Sequence, residues 1–261
     1  MKQYTALRGA FAYEFRMQIR RPALWIVMLC FGALQAVLGN GALFDLLLHN
    51  PGHYSGVLQV VDWATRVNVL FPILVGVLLA DRLSRDGRTR MNEVLNTLPA
   101  SLGSRLAGKY LGTTLASILP VFLYYCLGLG LLSYSRHDLL IFPLGLEVFA
   151  AVILPGILFI SAFSIACPAF IWTPIYQFLF VGYWFWGNLF PANIGIPTLS
   201  PTILTPIGGY MAAGFYGYND VYQVHTATSW QGAASLSVLV CIAVLAIVAL
   251  SWLLKWRQAQ Q

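Results

Sequence analysis

Residues Gly103 to Tyr110, GSRLAGKY, fit the phosphate-cradling pattern G-x-x-x-x-G-K up to the last position, where Tyr110 stands in place of the magnesium-binding hydroxyl. Such a loop works between a buried strand and a helix, so that backbone N–H groups converge on the phosphates. Here it leads straight into an apolar run, so we read no nucleotide site in it. His49 and His53 have the i, i+4 spacing of helical metal ligands, but Pro51 and Gly52 between them break the helix that spacing needs. No H-E-x-x-H or G-x-S-x-G occurs. Cys30, Cys126, Cys167 and Cys241 show no C-x-x-C spacing and fall in or beside apolar runs, where a thiol packs as a small hydrophobe. The expectation is therefore no catalytic residue, no metal and no cofactor in this chain.

Charged residues in or beside apolar runs are the remaining candidates. Glu147 lies a turn or two into one run, an expensive place for an acid. It either engages a cationic substrate or a proton, or forms a structural pair with Arg136. Asp62 and Arg66, spaced i, i+4, are expected to pair on one helical turn. The long water-loving segment is Asp81 to Lys109, DRLSRDGRTRMNEVLNTLPASLGSRLAGK. Its first part, to Arg90, is a charge cluster. Its second part carries Val94, Leu95, Leu98, Leu102 and Leu106 at helical spacing, with Pro99 and Gly103 forcing a break. This predicts a short surface helix, a turn and a climb into the next apolar run. The apolar stripe needs either a partner or the lipid surface.

The elements that must position these residues follow from composition. The chain has 261 residues, 59% hydrophobic and only 9% charged, with a mean hydropathy of +0.73. Globular proteins carry about 25% charged residues. The fold class expected is an all-α membrane protein, one transmembrane domain over 1–261. Spans of roughly 20 residues are read at 23–44, 57–80, 110–132, 139–166, 168–190 and 233–254. The fourth and fifth are divided near Cys167 and Pro168, with Trp172, Thr173 and Pro174 as the other break. Of the 15 Lys and Arg, only Arg66 and Arg136 fall outside the two termini and the charged segment. The positive-inside rule then makes the charged segment and both termini cytoplasmic in a multi-pass plasma membrane, with no removable signal peptide. The +6 net charge is topology and anionic-lipid contact, since no aromatic residue is interleaved with the basic ones as nucleic-acid binding requires.

Residues 2–21 read as an amphipathic helix, with Tyr4, Leu7, Phe11, Phe15 and Ile19 on one arc and Lys2, Arg16 and Arg20 opposite. Arg8 and Gln18 depart from that arc. The segment 191–231 lies outside the spans yet has one charge, Asp220, and many Pro, Gly and aromatic residues. Re-entrant or interfacial helices fit it better than a solvated loop. Its aromatics Tyr210, Phe215, Tyr216, Tyr218 and Tyr222 either anchor at the bilayer interface or line an exit.

The run Gly87 to Gly112, GRTRMNEVLNTLPASLGSRLAGKYLG, resembles the cytoplasmic loop of the permease subunits of type-2 ATP-binding cassette exporters, at Gly87, Thr89, Glu93, Leu95, Pro99, Gly108 and Lys109. The predicted topology is similar along the whole chain. The resemblance implies an N-terminal elbow helix, a coupling helix in the charged loop and re-entrant helices capping the pathway. It implies docking of a separate ATPase, present in two copies and holding the ATP and magnesium, through Leu95, Leu98 and Pro99, with Arg90, Glu93 and Arg105 orienting it by charge. It also implies a second permease subunit, identical or homologous, and a prokaryotic inner membrane. Glu147, Tyr210, Phe215, Tyr216 and Tyr218 are then the candidate pathway or gate for a hydrophobic or amphipathic cargo, a drug, lipid or peptide. An integral-membrane enzyme and a non-transporting anchor or sensor subunit are the alternatives.

Overall fold

A chain this apolar cannot leave peptide groups unpaired in hydrocarbon, where each costs several kcal/mol, so segments must close their hydrogen bonds internally. The computed structural model describes residues 2–38, 55–88, 101–190, 195–218 and 226–260. These form α1 (Lys2–Ile19), α2 (Pro22–Leu38), α3 (Gly56–Arg88), α4 (Leu102–Arg136), α5 (Ile141–Val148), α6 (Leu154–Ala166), α7 (Thr173–Leu189), α8 (Gly209–Tyr216) and α9 (Ser229–Ala259). No strand occurs among the described residues. Four stretches are long and apolar enough to cross a membrane: Gly56–Arg82, Leu102–Arg136, Ile141–Ala169 and Ser229–Arg257. A fifth is added if α1 and α2, bent by 57° from one another, count as one span. The count falls short of the six expected because α7 and the described part of α2 have only 17 residues each. At 1.5 Å per residue that is about 26 Å, against about 30 Å of hydrocarbon.

Local chemistry explains most boundaries. Pro22 opens α2, where its missing N–H is no loss. Thr228 and Gln231 form a reciprocal capping box that starts α9. Ser101 caps α4, its Oγ accepting from Ser104 N at 3.2 Å, so the helix runs straight through Gly103. That moves the expected break back to residue 101 or earlier and starts the helix eight residues before the expected 110. Between α6 and α7 a 3-10 turn holds Cys167–Ala169 and Pro168, and α7 begins at Thr173 with Pro174 in its first turn. The fifth helix thus starts at the second of the two breaks considered, not at Pro168.

The helix Ile141–Ala169 contains a π turn, Phe149–Ile153. Pro155 has no N–H to offer the carbonyl four residues back, and the helix widens just before it: Leu154 N–H bonds to Phe149 O, five residues away. α3 is the central helix. Val60, Val61, Trp63, Ala64, Val67, Phe71, Val75 and Leu79 on it are all fully buried. Side-chain donors bind its neighbours through backbone carbonyls, the packing mode expected where lipid supplies no hydrophobic drive between helices. Trp63 Nε1 donates to Tyr125 O at 3.0 Å and Tyr125 OH to Gly145 O at 3.1 Å. Trp184 Nε1 donates to Val69 O at 2.8 Å.

Candidate functional site at the foot of the charged loop

α3 and α4 are the two arms on which the charged loop is carried, and their near ends are fastened together by α1. The sequence allows this through Gly108 and Gly112, a G-x-x-x-G pair that strips one face of α4 to backbone. A Cβ on Gly108 would sit 2.8 Å from Leu7 O, and one on Gly112 2.6 Å from Phe11 O. α1 therefore lies against α4 almost backbone to backbone, running in the same direction, with Gln18 Nε2 reaching Ser117 Oγ at 3.5 Å.

This contact turns α1 from its expected orientation. Its most buried residues are Glu14 and Gln18, at 7% and 1% exposure, while Tyr4 is 72% exposed. Gln18, which looked like a flaw in the apolar arc, is the residue that faces α4. Arg16 and Arg20 are on the outside, as expected.

Glu14 is at the centre of the site. Its Oε2 accepts from Arg82 Nη2 of α3 at 2.9 Å, and its Oε1 from Lys109 Nζ of α4 at 3.1 Å. Arg82 and Lys109 are themselves only 2% and 6% exposed. One carboxylate thus bridges cations on both arms, and losing it would leave two buried cations without that anion. Lys109, the lysine of GSRLAGKY, is engaged here in a segment that is helical throughout. The three residues were not singled out as a site from the sequence. The available signals were an acid on an otherwise basic amphipathic helix and the G-x-x-x-G beside Lys109.

Of the expected docking residues, Arg105 lies in the first turns of α4, half-buried. Arg90, Glu93, Leu95, Leu98 and Pro99 lie outside the described residues, as do His49, His53 and Tyr222.

The expected pathway residues gather at the other ends of the helices. Tyr216 donates to Glu147 Oε1 at 3.2 Å, and Tyr218 donates to Asp62 Oδ1. Arg136 donates to Gln59 Oε1 at 2.6 Å, so Glu147 finds a phenol where the sequence offered Arg136 as a structural partner. Burial and the Glu147 carboxylate push the Tyr216 phenol up to about 12. Asp62 pairs with Arg66 Nε at 2.8 Å, as their spacing predicted. Tyr210 donates to Pro201 O at 2.8 Å, and Phe215 stands edge-on to Tyr216 with centroids 6.3 Å apart.

The segment that bears these aromatics is packed into protein. Ile207, Met211 and Ala212 are fully buried. Its seat is Asn68 on α3, whose Nδ2 lies 3.2 Å from Val152 O in the π turn, 3.1 Å from Pro206 O and 2.6 Å from Ile207 O. Gly208 follows at φ +91, where a side chain would be strained and would strike Val152. A buried Asn in a long apolar helix was the available signal for this node, and it was passed over.

No family model matches the chain, and no curated protein matches it. Among the described residues, no group of three His, Cys, Asp or Glu is placed to hold a metal ion.

Proposed function

We propose that the chain is the permease subunit of a type-2 ATP-binding cassette exporter, moving a hydrophobic or amphipathic molecule out of the cytoplasm or its leaflet. A separate pair of ATPase subunits drives it through the loop between α3 and α4. In this reading α1 is the elbow helix, α2 continues to a full span, α7 crosses the bilayer, and six spans place both termini in the cytoplasm. The segment bearing α8 is a re-entrant outer gate, and a second permease copy or homologue completes the pathway.

The observation that carries this reading is the lever geometry. α3 has 33 residues and α4 has 35, each one continuous helix that carries a single proline, Pro72 and Pro120. At 1.5 Å per residue both exceed 50 Å or nearly so, about 20 Å more than the hydrocarbon is thick. Glu14 ties them near the ends that carry the loop. A push on the loop is then shared by α1, α3 and α4, and travels along α3 past Pro72 to Asn68 and the gate segment.

The test is purification in mild detergent, followed by ATP hydrolysis and vesicle efflux. The chain should bring down an ATPase, hydrolysis should rise with an apolar cargo, and a Glu93→Ala/Leu95→Ala variant should remain folded while hydrolysis no longer drives efflux. Normal coupling in that variant would overturn the docking assignment. A chain that binds no ATPase and turns over a substrate alone would be an enzyme, and one that binds a partner without driving efflux would be an anchor.

A further inference from the structure

We propose that the outer face of α1 is a binding site for the phosphate headgroup of an anionic phospholipid, built from Tyr13, Arg16 and Arg20 around a shallow open hollow. Among the described residues the hollow is lined by Gly9, Ala12, Tyr13, Arg16, Met17 and Arg20. Positions 9, 13, 16 and 20 repeat at helical spacing, so the two guanidiniums and the phenol share one face. Gly9 forms its floor with nothing within 4 Å of where a Cβ would be. Met17 and Ala12 give an apolar wall beside the charges. A phosphodiester with a glycerol backbone needs this combination: forked donors for its oxygens and an apolar shelf for the start of its acyl chains.

Both arginines are available for such a ligand. Each is exposed, and among the described residues no carboxylate lies within ion-pair reach of either. The nearest acid on the helix, Glu14, points to the opposite face and is held by Arg82 and Lys109. A helix that merely carried compensating charge would have used that acid on its outer face.

The occupant is argued from place as well as charge. Residue 20 is where α1 turns by 57° into the apolar α2, so the hollow opens at the level where polar surface meets hydrocarbon. Trp25, one turn further on, donates its indole N–H to Ile19 O at 2.8 Å, an aromatic held at that same boundary. The site rests on the proposed orientation only in facing the cytoplasmic leaflet, where anionic lipids give a negative surface. It needs no ATPase and no transport activity.

The experiment is lipid binding by the full chain in detergent, followed by native mass spectrometry with phosphatidylglycerol against phosphatidylcholine. The variants are Arg16→Gln/Arg20→Gln and, as a control on the same helix outside the hollow, Arg8→Gln. The wild type should retain phosphatidylglycerol preferentially. The double variant should lose about 25-fold in affinity, about fivefold for each guanidinium, while Arg8→Gln stays within twofold. The loss should shrink in 1 M salt, where charges more than about 3 Å apart are screened. Equal losses in Arg8→Gln and the double variant would mean diffuse attraction without a site and would overturn the proposal. So would equal retention of the zwitterionic lipid, or unchanged lipid binding in a double variant that instead sheds an acidic protein partner. Circular dichroism of each variant separates these results from misfolding, and ATPase co-purification, unaffected by the lipid result, tests the functional reading on its own.

Discussion

Replacing Glu14 by Gln keeps the side chain's shape and removes its charge, leaving Arg82 and Lys109 to face each other without the carboxylate that now bridges them. Removing one partner of a buried ion pair costs about 3–5 kcal/mol, because the remaining charge stays out of water. Here one acid serves two cations that are 2% and 6% exposed, so a loss of about 3 kcal/mol is expected from the same source. The comparison is Arg66→Gln, which breaks the Asp62 pair at side-chain exposures of 44% and 33%. An exposed i, i+4 pair contributes only about 0.3–0.5 kcal/mol. Equilibrium unfolding in mixed detergent micelles, read by tryptophan fluorescence, measures both. The charge swap Glu14→Lys/Lys109→Glu should be more stable than either single change, since it restores opposite charges across the α1–α4 contact. If Glu14→Gln falls within 1 kcal/mol of Arg66→Gln, or the swap is no better than its singles, the clamp is not what holds the two arms together.

Close approach of α1 to α4 predicts opposite signs at two glycines. Gly112→Leu would drive a side chain into Phe11 O and should cost about 2–3 kcal/mol, whereas Gly103→Ala, in open space within the helix, should gain about 0.5–1 kcal/mol in the same unfolding assay. Asn68→Leu leaves the carbonyls of Val152, Pro206 and Ile207 short of a donor, at about 1–3 kcal/mol. A cysteine placed at the fully buried Thr205 should become reactive to a soluble maleimide in that background and stay protected in the parent. Tyr216→Phe should cost under about 1 kcal/mol because its bond to Glu147 is exposed, but combined with Tyr218→Phe it should speed proteolysis around α8.

The sequence made the apolar architecture legible because spans are long and the penalty for polar residues in them is large. It also gave the charged loop, since few other stretches break the apolar run. Boundaries were harder where two signals compete: Gly103 looks like a break until Ser101 supplies the cap that carries the helix through it, and Pro168 sits in a tight turn while Pro174 opens the next helix. The packed face of α1 was misread because periodicity reports where apolar residues fall, not which face a partner removes from lipid. Two glycines on α4, nearly a hundred residues away, decided that Glu14 and Gln18 would be inside. Asn68 stands out in the sequence as an amide in an apolar helix, but its partners do not, since the carbonyls it serves come from a π turn and a loop that only the fold brings to it.

The side-by-side course of α1 and α4 has a consequence for how the protein is made. Glu14 leaves the ribosome about 95 residues before Lys109, roughly 5–20 s at ordinary rates of synthesis. Throughout that interval α1 has no groove to enter and its acid has neither cation. It stays unseated until α4 offers Gly108 and Gly112. α1 is thus made well before the helix that seats it, so completion of the clamp marks the arrival of α4.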